Sequence, residues 1–292
     1  MYELIKTGKS SYYIDCPSKI GIIDLGDGTA ALIDSGNSKD TAKKVKRTVS
    51  EMGLNIKAIY NTHSHADHIG GNRYLSQETG CRVYARSIEA DFTRHPILEP
   101  AFLYGARPLP ALKSRFLLAE PSPAEELTDE SLPEGLSAAE LPGHSFDMLG
   151  FRTSDGVFFI ADALSSRNTL DKYGIGYIYD IGAYIETLES LKNTSAALFV
   201  PSHAEPTENI APLAQYNIDK TYEIADRILG ICRGGECFDH IIRRLFDSYS
   251  LTLTVEQYAL VGSSVRSYLS WLSERGEIAI ETEKNTLIWK KT

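Results

Sequence analysis

Apolar positions along the chain change their spacing several times. Near the N-terminus they form short β-branched or aromatic runs, SSYYIDC, KIGIIDLGDG and TAALIDSG, broken by Gly, Asp and Asn. Such runs predict strands, and GDG at 26–28 predicts a hairpin turn. SKDTAKKVKRTVSEMG at 38–53 predicts a helix with Ser38 as N-cap and Gly53 at its C-terminal end. IKAIYNTH at 56–63 predicts a strand, NRYLSQETG a short helix and CRVYARS another strand. Strand, helix, strand in this order implies an α/β layered core.

Residues 95–134 break the pattern. They hold seven of the twelve prolines, together with Phe102, Tyr104, Arg107, Lys113, Arg115 and Phe116. So long a stretch without clear period is expected to be a functional, lid-like loop. Strand patterns return in GLSAAELPGH and GVFFIADAL, followed by a helix over 179–194 and a buried strand, AALFVPSH, at 196–203. A further helix is expected over 219–232. The last 57 residues then read as helix, helix and hairpin, with turn residues at Lys284 and Asn285, the outline of a winged helix. The expected organisation is a catalytic domain over 1–210, with 95–134 as an insertion, and a smaller module over 211–292.

Composition narrows the function classes. The chain has 292 residues, 42% hydrophobic and 24% charged, an ordinary globular balance. A net charge of −9 argues against a general polyanion binder. Residues 236–292 carry seven basic against eight acidic side chains, and the helix best placed to read DNA sets Arg266 and Arg275 against Glu256 and Glu274. Cys16, Cys81, Cys232 and Cys237 form no CxxC pair, which suits reduced thiols. The first residues contain no signal-like apolar run, and no segment approaches 18 uninterrupted apolar residues. A cytoplasmic protein that does not enter a membrane is expected.

The strongest chemical signal is YNTHSHADHIGGN at 60–72. Three of the seven histidines and an aspartate, His63, His65, Asp67 and His68, fall within six positions. Neutral imidazoles beside a carboxylate are what a divalent cation needs. His144 in LPGHSFD, Asp162 in FFIADAL and His203 in VPSHAEP stand at three further predicted strand ends. His95 and His240 lie outside the pattern. One ion needs three or four protein ligands, so seven donors suit two ions with one carboxylate between them.

HSHADH, GH at 143–144, AD at 161–162 and SH at 202–203 together resemble the metallo-β-lactamase superfamily over roughly residues 1–210. The resemblance implies an αββα sandwich with the metals at one edge. It implies that His63, His65 and His144 hold one ion, that Asp67, His68 and His203 hold a second, and that Asp162 bridges. Asp34 in LIDSG matches a position that supports the site from behind. A bridging aspartate is similar to glyoxalase-II-like and ribonuclease-Z-like members. The stretch ADALSSRNTLDKYGIGYIYD lacks the GxGRxxEG-like run of glyoxalase II, which points away from glutathione thioesters.

The expected activity is therefore hydrolysis by a metal-bridging hydroxide, on a small carbonyl ester or thioester. Asp67 is expected to orient the hydroxide and pass a proton, and Tyr173, Tyr177 and Tyr179 to line the substrate pocket. Zinc is the default metal, with iron or manganese also suited to a donor set without thiolate. Phosphodiester cleavage of RNA is the alternative enzyme reading. A winged-helix nucleic-acid-binding regulator with a structural metal site is the alternative from another class. A small-molecule substrate and a homodimer complete the expectations.

Overall fold

The computed structural model describes residues 2–292. The first sheet runs in chain order: β1 (Glu3–Lys6), β2 (Ser11–Asp15), β3 (Ile20–Asp24), β4 (Thr29–Ile33), β5 (Asn55–Tyr60), β6 (Arg82–Ala85) and β7 (Glu125–Glu126). Its first four strands are antiparallel, and β4 to β7 are parallel. The helices α1 (Lys39–Glu51), α2 (Ala66–Ile69), α3 (Asn72–Thr79), α4 (Ser87–Arg94) and α5 (Leu98–Tyr104) belong to this half. The second sheet contains β8 (Leu136–Glu140), β9 (Leu149–Thr153), β10 (Val157–Ala161) and β11 (Leu198–Pro201), in the order β11-β10-β9-β8. Helices α6 (Arg167–Tyr173) and α7 (Ile181–Lys192) lie between β10 and β11 in the chain. They are followed by α8 (Ala211–Ile231), α9 (Phe238–Ser248), α10 (Val255–Glu274) and a hairpin of β12 (Ile278–Glu283) and β13 (Thr286–Lys291).

Alternation along the strands stacks these layers. In β4, Ala31 and Ile33 face the second sheet, while Ala30 and Leu32 face α1. In β10, Val157 and Phe159 face the first sheet, while Phe158 and Ile160 face the helices beyond. Both strands are buried on two sides, so they read as continuous apolar runs. The result is the expected αββα order. Residues of α8, α9 and α10 share one apolar core with Phe158, Phe199 and Leu188 of the second half.

Several expected elements form as read. Ser38 accepts from the Thr41 N–H at the start of α1. Lys284 and Asn285 both take the left-handed conformation that a two-residue hairpin turn requires. Other expectations need correction. Residues 95–134 are not one loop: they contain α5 and two single-turn 3₁₀ segments, too short to print a helical period. Leu103, Leu112 and Leu117 from this stretch are buried against Ala259 of α10. Helix α8 starts at Ala211, eight residues before the expected start, with Pro212 in its first turn, where proline costs no hydrogen bond. Strands β1 and β9 and helix α6 were not anticipated.

Asp155, in the β9–β10 turn, ties the two sheets together. Its carboxylate accepts from the Ser10 N–H (2.8 Å), the Ser11 N–H (3.1 Å) and the Ser11 hydroxyl (2.6 Å). Burial opposes its ionisation, yet hydrogen bonds from Ser11, Thr153 and Ser10 outweigh burial and hold the carboxyl down at about 2. Asp155→Ala should lower stability by about 2 kcal/mol, because several donors lose a charged acceptor; urea unfolding reads this. The folded-state value lies below the unfolded one of about 3.9, so this stabilisation is present above about pH 4 and is lost as pH falls toward 2. The wild-type advantage over Asp155→Asn should shrink across that window.

Candidate metal centre

The chemistry-bearing residues stand at the ends of strands and on the loops just beyond them. Thr62 and His63 follow β5, and His65 caps α2, so Asp67 and His68 lie in one short helix rather than an open turn. Asp162 follows β10 directly, and His203 lies two residues past β11. His144 sits farther out, four residues beyond β8. Gly143 takes a φ of 119°, and a Cβ there would run into the Tyr184 backbone. Glycine thus lets the His144 loop press against the start of α7. Gly70 and Gly71 serve close approach too: a Cβ on either would strike Asn37 or Ser35 backbone, although neither has positive φ. Asp34 (φ 62°) and Ala161 (φ 50°) hold left-handed backbone at two strand ends, a strain that clusters at functional sites.

All seven expected donors converge. His63 Nε2 lies 3.0 Å from His65 Nδ1, and His144 Nε2 lies 3.1 Å from the same atom. Three trios have ligand atoms within 4.8 Å of one another: His63, His65 and His144; His63, His68 and Asp162; Asp67, His68 and His203. Asp162 stands between the groups. Its Oδ1 is 3.4 Å from His68 Nε2, and its Oδ2 is 3.5 Å from His144 Nε2 and 3.3 Å from His203 Nε2.

Outward hydrogen bonds fix which ring nitrogens face inward bare. The His68 Nδ1–H donates to Asp34 Oδ2 (2.8 Å), and the His203 Nδ1–H donates to the Pro17 carbonyl (2.7 Å). The Thr62 hydroxyl gives its only proton to Asp34 Oδ2, so it accepts from the His63 Nδ1–H (3.0 Å). His63, His68 and His203 therefore all turn Nε2 toward the centre, where it offers a lone pair whenever the ring is neutral. The buried His68 Nε2 and Asp162 Oδ1 find no hydrogen-bond partner. Ring nitrogens and carboxylate oxygens packed this closely in the interior repel unless positive charge, protons on the rings or a metal cation, lies among them. Their 3.0–3.1 Å spacing is near the roughly 3.4 Å that tetrahedral ligands adopt around an ion at about 2.1 Å. The residues thus fit divalent metal.

The electrostatics agree. Burial drives the His63 ring well below its ordinary range, His65 down to about 4 and His144 down to about 3, so all three are neutral at pH 7. The Asp162 charge, against burial, lifts His203 to about 10. Burial also opposes a charge on His68, but Asp67, Asp162 and Asp34 outweigh it and raise that ring. Burial works against Asp67 and Asp162 too, yet His68 and His203 hold both carboxyls low. Positive charge is drawn to this end of the cluster, and a bound cation would satisfy the same demand.

Sequence reading missed the residues that brace the cluster. Glu89 of α4 is buried and buckles two site loops. Its Oε2 accepts from the Ser64 N–H (2.8 Å) and hydroxyl (2.6 Å), and its Oε1 from the Ser145 hydroxyl (2.7 Å) and Asp147 N–H (3.2 Å). Glu99 of α5 lies 3.6 Å from His65 Nε2, and burial, then the Glu89 charge, pushes its carboxyl up to about 8. The Ser18 hydroxyl donates to Asp67 Oδ2 (2.5 Å). A glutamate in a short amphipathic helix carries no local mark of such a role. Among the expected substrate residues, Tyr177 sets its ring edge against His65 and His144, with centroids 5.2 and 5.5 Å away. Tyr179 packs on Phe146 at 4.3 Å. Tyr173 stands exposed at the end of α6, with Lys172 over its ring.

A family model described as the metallo-beta-lactamase superfamily matches residues 13–203. Curated relatives include a hydroxyacylglutathione hydrolase of Methylobacillus flagellatus, 27% identical over 47% of this chain and 44% of the relative. Another, from Acaryochloris marina, is 43% identical over 18% of this chain and 20% of the relative. The chain therefore spans between a fifth and under half of the length of these relatives. Among solved structures, a beta-lactamase domain protein from Burkholderia ambifaria aligns with a TM-score of 0.77 at 16% identity, covering 99% of this chain and 94% of that one. A metallo-beta-lactamase family protein from Thermus thermophilus aligns with a TM-score of 0.70 at 17% identity, covering 100% and 98%. At such identities the likeness concerns the fold.

Asp34→Ala should leave His68 and Thr62 without their acceptor and weaken metal binding about 10- to 100-fold; titration with a competing chelator reads this. Glu89→Ala should cost about 2–3 kcal/mol, because the Ser64 and Asp147 N–H groups lose a charged acceptor in the interior. A lowered melting temperature of the metal-free protein would report it.

Proposed function

The chain belongs to the metallo-beta-lactamase superfamily, and from that premise we propose that it is a hydrolase carrying two divalent ions and acting on a small carbonyl ester or thioester. One observation carries the reading: Asp162 lies between two donor groups, within 3.3–3.5 Å of His68, His144 and His203. His63, His65 and His144 would hold one ion, Asp67, His68 and His203 the other, and Asp162 would touch both. Zinc fits this nitrogen and oxygen set, as do iron and manganese. Ions held there would acidify a water and polarise the carbonyl under attack.

The chain's own groups supply the rest. Asp67 Oδ2 accepts a hydrogen bond from the Ser18 hydroxyl and lies 3.1 Å from His203 Nε2, so it is held in one orientation at the edge of the cluster. We assign it the task of aligning the attacking water and carrying a proton toward the leaving group. Tyr177 stands edge-on to two of the histidines, and we assign it to the wall of the substrate pocket. The relatives named hydroxyacylglutathione hydrolase support a thioester as the substrate class. Four unpaired cysteines suit a reducing, cytoplasmic setting. No helix among the described residues is long and apolar enough to cross a membrane.

Zinc- or manganese-loaded protein should cleave an acyl thioester at a rate that falls about 10²- to 10⁴-fold in Asp67→Ala. A side-by-side assay with an activated phosphodiester checks this. Cleavage of the phosphodiester alone, or full activity in Asp67→Ala, would contradict the assignment.

A further inference from the structure

A cavity of about 460 Å³ lies between α5 and α10, with Tyr179 and Ile181 between them. It is close to the metal centre by two routes. On α5, Glu99 reaches toward His65, and Phe102, three residues later on the same helix face, lines the cavity. On the loop before α7, Tyr177 touches His65 and His144, and Tyr179, two residues later, lines the cavity. One helical turn rises about 5 Å. Two residues that line the cavity thus stand one helical turn and two positions along the chain from residues that border the histidines.

The lining says what that group is. Phe102, Tyr104, Tyr179, Ile181 and Trp271 provide aromatic and aliphatic surface. Phe102 and Tyr179 also belong to an aromatic cluster with Phe92 and Phe146, ring centroids 4.3–6.5 Å apart. On α10, Ser263, Ser267 and Ser270 are small and leave the space open. The charged groups offer no surplus cation. Arg266 lies with its guanidinium over the Phe238 ring at 3.9 Å, and Asp180 and Glu274 flank the same space. An anionic arm such as a peptide carboxylate would meet two carboxylates and one engaged cation.

Helix α10 is fastened to this wall. The Ile178 N–H donates to the Ser264 hydroxyl oxygen (3.0 Å), and the Ser267 hydroxyl donates to the Tyr179 carbonyl (2.6 Å). The C-terminal helix thus fixes the stretch that carries Tyr177 and Tyr179 and contributes a side of the cavity.

We propose that the cavity between α5 and α10 seats an uncharged apolar acyl group, aromatic or branched, and that α10 is a specificity element of the hydrolase. This rests on the hydrolase reading above. A volume of this size suits a small ligand, and each buried methylene is worth roughly tenfold in discrimination.

The test compares phenylacetyl and acetyl thioesters of N-acetylcysteamine on the metal-loaded protein, together with calorimetric binding of phenylacetate and acetate. The wild type should favour the phenylacetyl thioester by at least about tenfold in kcat/KM and bind phenylacetate more tightly than acetate. Ser270→Trp, which fills the cavity from an exposed position on α10, should erase most of both preferences. Phe102→Ala is the second variant should Ser270→Trp melt early, and it should cut the ratio several-fold. A wild type that favours the acetyl compound, or variants that keep the full preference, would overturn the proposal. Binding of phenylacetate that Ser270→Trp abolishes, in a protein that cleaves neither thioester, would uphold the cavity and fail the hydrolase reading instead.

Discussion

Ring nitrogens of His63, His65, His144, His68 and His203 crowd against one another and against two carboxylates inside the protein. In a low-dielectric interior this crowding needs positive charge among the groups, and protons drawn onto His68 and His203 supply it only in part. His68 Nε2 and Asp162 Oδ1 make the point most plainly, being buried without a partner. Most buried polar groups find partners, and those that do not call for an explanation. A divalent cation supplies one, since it turns every repulsive pair into two ligands of one charge.

The fold is built to hold that arrangement against its own repulsion. Asp34, in strained left-handed backbone, fixes His68 directly and His63 through Thr62. The Pro17 carbonyl fixes His203, and Glu89 buckles the His63–His65 loop to the His144 loop. The bonds to Asp34, Thr62 and Pro17 lie on the outer side of proposed ligands, where they set the orientation of His68, His63 and His203 without competing for the inward nitrogen, while Glu89 acts on the loops rather than on a ring. The two-sheet sandwich brings these loops together because β5, β10 and β11 all end at the same edge.

Much of this was legible in the chain. Three histidines and an aspartate in six positions survive any uncertainty about local structure, and the strand runs before Asp162 and His203 carry apolar patterns that end where the chemistry begins. The braces were not legible. Glu89 is 25 residues from Ser64 and 56 from Ser145, and only the fold makes them neighbours. The stretch 95–134 read as a loop because α5, at seven residues, completes barely two turns. The C-terminal hairpin and helices were visible, but the direction in which α10 faces was not. A pattern of serines at 263, 264, 267 and 270 reads as a polar surface, whereas in the fold Ser264 and Ser267 bind the backbone of the site's own wall.

Metal stoichiometry is the most direct test of the two-ion centre. Purified protein, loaded with zinc and freed of excess, is assayed for bound metal and its metal environment read by X-ray absorption. The arrangement of donors predicts two ions per chain with nitrogen and oxygen ligands only, and loss of at least one ion in Asp162→Ala. A wild-type chain that retains no metal, or binds one ion through sulfur, would contradict it.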